Sequence, residues 1–145
     1  RSLRYGVVGN FLIDPDWGQE QFEELWSFVA SHDITRTGFT LLTPLPGTEL
    51  FESVKDKLAG QPWFKYDMHH LLWEPRLGAQ RFFELYAETW KRSVLNLSGP
   101  KSLTAWARQV RPSHLPVVAR LLFQTQRLMK PSAYLREHAM KIAPR

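Results

Sequence analysis

The chain of 145 residues contains no cysteine. That absence excludes disulfides, zinc held by thiolates, thiol nucleophiles and any iron–sulfur cluster bound by the chain's own side chains. There is no run of 18 or more uncharged apolar residues, and no basic start leading through an apolar stretch to a small-residue cleavage site. Neither a membrane-spanning helix nor a signal peptide is written here, so a cytoplasmic protein, or one peripheral at the inner membrane, is expected. A glycine-rich phosphate loop is also missing, and Ser93, Ser98 and Ser113 have no His/Asp arrangement around them that sequence supports. Hydrolase and nucleoside-triphosphatase chemistry therefore drop out. Acidic residues are scarce in the last third: residues 101–145 carry nine Lys/Arg against one Asp/Glu, whereas residues 1–100 carry ten against thirteen. The net charge of +5 is thus a tail of +8 on a body of −3. Such polarity favours an anionic partner.

What the chain does have is apolar and aromatic bulk. Hydrophobic residues make up 43% and aromatics 13%, with six Trp and nine Phe, enough for a folded core in one domain-sized chain. It begins with Arg1 in the approach to a strand, which reads as a piece of something longer.

Residues 3–13, LRYGVVGNFLI, read as a buried strand closed by the turn DPDWG. Over residues 18–32, Phe22, Leu25, Trp26 and Val29 recur at helical spacing with Glu20, Glu23 and Glu24 among them, an amphipathic helix with acids near its positive end. Residues 37–43, TGFTLLT, form a second short strand, and residues 47–58 a second helix with Leu50, Phe51, Val54 and Leu58 on one face. Strand, helix, strand, helix with short connections predicts right-handed βα units, a parallel sheet and an α/β class. Each buried Leu, Val or Phe in these stripes is worth roughly 1.5–3 kcal/mol, which suffices to dock the helices. Two such units leave an open sheet edge. Residues 66–73, YDMHHLLW, alternate weakly and predict a third strand ending before Pro75. Residues 78–96 form the strongest helix, striped by Phe82, Phe83, Tyr86, Trp90 and Val94. Helices are expected to start near Pro100 and over residues 113–128 and 131–142.

In α/β proteins, ligands sit outside the carboxyl ends of parallel strands, here in DPDWG and TPLPG. Prolines and small residues would give a rigid wall there, or merely a tight turn. Asp14, Asp16 and Glu20 are carboxylates in one stretch, more simply a helix cap and first-turn acids than catalytic groups. His69 and His70, with Asp67 and Glu74 nearby, invite a metal reading. Neighbours on a strand point to opposite faces, so the two imidazoles would not share an ion, and no metal site is expected.

GNFLIDPDW, then FTLLTPLPGTELF, then YDMHHLLWEPRLGAQRFFELYAETWKRSV resemble the C-terminal part of cobalamin-dependent radical S-adenosylmethionine enzymes, most of all the hopanoid C-3 methylases. The likeness covers roughly residues 3–98, and LTPLPGTELF is its most specific element. It implies that residues 1–60 supply the last βα units of a partial (βα)6 radical-SAM barrel. Residues 61–98 would add a strand and a long helix that close the barrel, and residues 99–145 a mostly helical, basic extension. By the same resemblance, Gly9, Asn10 and Ile13 on the fifth barrel strand and Leu42, Thr43 and Pro44 at the end of the sixth would bind the adenine of S-adenosylmethionine. Asp14 stands where that pattern has its second glycine. His69 and His70 become substrate-facing candidates.

No catalytic residue lies in this chain on that reading. The [4Fe–4S] cluster and the cobalamin would be ligated outside it, by the upstream portion of the same polypeptide, and the chain alone would be inactive. The parent's implied reaction is hydrogen abstraction by a 5′-deoxyadenosyl radical, then methyl transfer from methylcobalamin to a polycyclic, hopanoid-like lipid. In the tail, Trp106, Leu115, Val118, Leu122 and Phe123 alternate with Arg108, Arg111, Arg120 and Arg127. This suits a helix lying on an anionic membrane surface or a solvated helical cap. The rival to the enzyme reading is a non-catalytic basic module on membrane or nucleic acid, with nucleic acid the weaker choice because the aromatics look like core stripe.

Overall fold

The computed structural model describes residues 8–32, 34, 36–95, 113 and 115–139. Two strands, β1 (Gly9–Ile13) and β2 (Thr37–Leu41), pair in parallel in the register Gly9↔Thr37 to Ile13↔Leu41. The crossover between them is α1 (Gln19–Ser31), so the first unit is the βαβ arrangement that the spacing predicts. Gly18 opens α1, its amide donating to the Gln21 side chain at 2.8 Å. β2 leads to α2 (Glu49–Val54), whose first turn is capped by the Thr48 hydroxyl accepting from the Phe51 amide at 3.2 Å. The helix expected over residues 47–58 is shorter than the periodicity suggested. It tightens at Lys55–Leu58 into a 3₁₀ turn and stops before Gly60, at φ 78°.

The strand expected over residues 66–73 does not form. After a 3₁₀ turn at Trp63–Lys65, the Asp67 carboxylate accepts from the amides of His69 (2.9 Å) and His70 (3.2 Å), and Met68 takes a left-handed φ of 64°. A side chain that captures the two amides following it competes with any sheet ladder, and a turn results. The open edge of β2 is therefore met by a turn rather than a third strand: Leu41 donates its amide to the Met68 carbonyl at 2.7 Å.

α3 (Gly78–Leu95) is the long helix that the aromatic stripe predicts. Its amino end is held by Glu74, which accepts from the Ala79 amide at 3.0 Å. α4 (Leu115–Thr125) and α5 (Pro131–Ala139) follow, each inside its expected range. The helix expected near Pro100, with Trp106, Arg108 and Arg111, lies outside the described residues, as does the start of the first expected strand.

The core lies on one face of the sheet. Ile13, Phe39 and Leu41 point into it beneath Phe22 and Leu25 of α1 and Phe82, Leu85 and Tyr86 of α3. α3 runs alongside α1, with Phe22 edge-on to Phe82 at 5.7 Å and Trp26 donating to the Thr89 hydroxyl at 2.9 Å. α5 packs on α3, Tyr134 meeting Phe83 and Tyr86 while His138 meets Phe83. Among the described residues no helix is long and apolar enough to cross a membrane.

Candidate functional site

Parallel pairing places the loops after β1 and β2 at the same end of the sheet. The first is locked by Asp14, whose carboxylate accepts from the Asp16 amide at 2.8 Å and whose carbonyl accepts from Trp17 at 3.0 Å. In the second, the Leu42 amide donates to the Ile13 carbonyl at 2.9 Å, carrying the ladder one residue past β2. The Thr43 hydroxyl then donates to the Leu41 carbonyl at 3.2 Å, and Gly47 turns the chain at φ 85° into α2. Pro15 and Pro44 are both fully buried, so each loop has a stiff hinge set into the core.

Residues 66–77 bring a third loop to this end. Besides the Leu41–Met68 bond, the Arg76 amide donates to the Pro15 carbonyl at 3.1 Å and the Trp73 indole to the Asp16 carboxylate at 3.3 Å. The acids at Asp14 and Asp16 are thus spent on loop structure. Asp14 organises its own turn and Asp16 holds Trp73.

The other face of the sheet is open. Strand residues alternate between faces, and Asn10 and Leu12 stand opposite the half-buried Phe11 and the buried Ile13, with Leu12 58% exposed. Their register partners are Gly38 and Thr40. Asn10 lies across Gly38 so closely that a Cβ there would stand 2.7 Å from its Oδ1. Leu42 continues this alternation at the loop end. The open face thus joins a carbonyl–amide side chain, a methyl-bearing hydroxyl and aliphatic surface. A flat heterocycle would fit these groups; a thiolate-bound cluster does not fit a chain without cysteine.

The residues singled out from the sequence divide accordingly. Leu42 and Thr43 lie at the loop end of the sheet, with Pro44 buried as the stiffener behind them, whereas Asn10 is on the exposed face near the amino end of β1, beside Gly38. Gly9 sits at the opposite, amino end of β1, its amide bonded to the Arg36 carbonyl at 2.9 Å. Ile13 is fully buried on the covered face. Leu12, within the same strand stretch, and Thr40, its register partner, lie on the face opposite Ile13 and Leu41, as strict alternation requires.

His69 and His70 are placed differently from each other, but not on opposite faces of a strand. The Nδ1 of His70 lies 3.0 Å from each carboxylate oxygen of Asp67. His69 contributes only its amide to that carboxylate. Partial burial disfavours the Asp67 charge, but the His70 imidazole, the His69 amide and the nearby positive charge outweigh it and hold the carboxyl below its ordinary value. Among the described residues no cluster of three His, Cys, Asp or Glu could hold a metal ion.

A cleft of about 490 Å³ opens elsewhere, between α1 and α3 on the covered side. It is lined by Trp26, Val29, Phe39 and Thr89, with Arg92 stacked 4.1 Å over the Trp26 ring. The sheet separates it from Leu12 and Thr40.

Three curated proteins are similar in sequence. The bacteriochlorophyllide d C-12(1)-methyltransferase of Chlorobaculum tepidum is 35% identical over 63% of the chain and 22% of its own length. The bacteriochlorophyllide d C-8(2)-methyltransferase of the same organism is 27% identical over 99% of the chain and 32% of its own length. The hopanoid C-3 methylase of Methylococcus capsulatus is 29% identical over 57% of the chain and 16% of its own length. The chain therefore spans about a third or less of each of these relatives. No family profile matches it, and no solved structure is similar to it. These similarities agree with the resemblance of the sequence to the cobalamin-dependent radical S-adenosylmethionine methylases, and the chain aligns with one part of each relative.

Proposed function

We propose that the chain forms the adenine-binding end of a radical S-adenosylmethionine C-methyltransferase, as the last βα units of a partial barrel whose remaining strands continue from the free edge of β1. The observation that carries this reading is the two-faced sheet. Ile13, Phe39 and Leu41 are sealed under helices, while Asn10, Leu12 and Thr40 face outward beside two proline-stiffened loops at one end. A barrel wall has that polarity, with helices packed on its outer face and the other face turned to the interior. On this reading the adenine stacks across Leu12 and Thr40 and hydrogen-bonds to backbone groups of Leu42 and Thr43. The cluster and cobalamin, ligated outside this chain, supply the radical and the methyl group. Asn10, in place over Gly38, orients the ligand from the barrel floor.

The substrate on this reading is a large fused-ring molecule. Two of the three relatives are named for a bacteriochlorophyllide and one for a hopanoid, which favours a tetrapyrrole over a polycyclic lipid.

The test uses the polypeptide that carries this chain. Thr40→Trp, which fills the open face, should weaken S-adenosylmethionine binding by at least about tenfold, in line with loss of a well-placed contact worth about 1.4 kcal/mol. Arg92→Ala, in the helix-side cleft, should leave it unchanged. Equal affinity for the two variants would refute the adenine site.

A second surface supports the membrane-docking reading of the tail. On α4, Leu115, Val117 and Phe123 are 52%, 68% and 75% exposed, with Arg120 exposed among them and Arg127 just beyond. Exposed apolar groups interleaved with cations suit an anionic phospholipid surface.

A further inference from the structure

The Asp67–His70 pair is unused by the adenine site and has the construction of a metal-ligating histidine with its outer partner. Both carboxylate oxygens of Asp67 lie 3.0 Å from His70 Nδ1. The same carboxylate also takes the amides of His69 and His70, so its position is set by three donors. A carboxylate on Nδ1 fixes the tautomer that carries its proton there, and leaves the Nε2 lone pair free to bind an electrophile. Nε2 makes no hydrogen bond among the described residues. The backbone is strained to build this turn, since Met68 sits at φ 64° without being glycine, a cost that tends to persist where geometry serves a ligand.

The surroundings narrow the ligand class. Phe64 stands edge-on to the His70 ring at 5.8 Å, Trp63 is 72% exposed and pairs with Tyr66 at 5.1 Å, and Met68 is 39% exposed. Apolar rings beside an imidazole whose Nε2 has no hydrogen-bond partner among the described residues, with no second or third ligand among them, do not make a resident metal site. They suit a metal that arrives with its other ligands already in a plane. Bacteriochlorophyllides are such molecules, being flat macrocycles with a central magnesium that accepts one axial ligand.

We propose that His70 Nε2, oriented by Asp67, is the axial ligand to the central metal of a metallotetrapyrrole substrate. This rests on the tetrapyrrole reading above and goes beyond it by naming the atom that recognises the substrate. The Leu41–Met68 hydrogen bond anchors the turn at the carboxyl end of β2, where ligands of parallel sheets collect.

The experiment titrates the polypeptide carrying this chain with a zinc chlorin and with the same chlorin without metal, following the visible absorption band. The expected result is a shift to the five-coordinate spectrum for the zinc chlorin and weaker binding of the metal-free one. His70→Ala should abolish the shift and added imidazole should restore it, while His69→Ala keeps it. Asp67→Asn should weaken zinc-chlorin binding by about tenfold or more, as for other outer partners of ligating histidines. If both chlorins bind the wild-type protein equally well, or His70→Ala keeps the five-coordinate spectrum, the ligand assignment is wrong although the tetrapyrrole reading stands. If neither chlorin binds, the tetrapyrrole reading and the ligand assignment both fall.

Discussion

The phenol of Tyr86 donates a 2.9 Å hydrogen bond to the main-chain carbonyl of Phe39, joining the middle of α3 to β2 inside the core. Both residues are almost completely buried. Tyr86→Phe keeps the ring and strands the carbonyl, so the variant should lose about 1–3 kcal/mol in urea unfolding. No loss would mean that the carbonyl finds another donor.

Alkaline pH should act on the same contact. Burial raises the pKa of Tyr86, partly offset by the Trp90 indole, and burial together with the neighbouring Tyr86 raises that of Tyr134. Both folded values lie above the ordinary 10.0, so the neutral forms stabilise the fold fully below that pH. The stability is lost as pH climbs above it, because the unfolded chain then sheds protons that the folded chain retains. Tyr134→Phe should flatten this alkaline decline in urea midpoints; an unchanged slope would remove Tyr134 from the account.

His138 should make α5 acid-sensitive. Burial, the charges of Lys65 and His70, and an opposing pull from Glu74 leave its pKa below the ordinary 6.5, and its buried Nδ1 has no hydrogen-bond partner among the described residues. Its neutral form is therefore favoured in the fold. That contribution is complete above the unfolded value and is lost as pH falls through it toward the lower folded value. His138→Gln, which cannot titrate, should narrow the stability difference between pH 7 and pH 5. The opposite change would show that the imidazole is charged when packed on Phe83.

Met68 offers a test of strain. A left-handed non-glycine residue costs about 1 kcal/mol, and glycine removes that cost while adding freedom to the unfolded chain. Met68→Gly should therefore be neutral or raise stability by up to about 1 kcal/mol. A loss larger than this would assign the methionine side chain a packing role that its 39% exposure argues against.

For the tail, Phe123→Asp should reduce co-sedimentation with phosphatidylserine vesicles, and raising salt should weaken what binding remains. Phosphatidylcholine vesicles should bind poorly from the start. Binding that ignores lipid charge would contradict the electrostatic half of this picture.

Much of the scaffold was legible from residue spacing. The stripes Phe22–Leu25–Trp26–Val29 and Phe82–Phe83–Tyr86 determined α1 and α3, and short connections between apolar runs determined a parallel pair with an intervening helix, because burial demands those periods. TPLPG announced a stiff turn at the carboxyl end of the second strand, and Pro44 is sunk into the core there. Tertiary structure alone decided the rest. Ile13 is apolar and lies in the motif, but its face of the sheet is the one that the helices cover, leaving Leu12 exposed and Thr40 half-buried on the other. A pattern of alternation shows that two faces exist, without showing which one faces a ligand. The YDMHHLLW stretch alternates like a strand, yet one carboxylate capturing two amides turns it into a loop. The same Asp67 distinguishes His70 from His69, a difference that spacing could not express because it depends on which ring reaches the carboxylate.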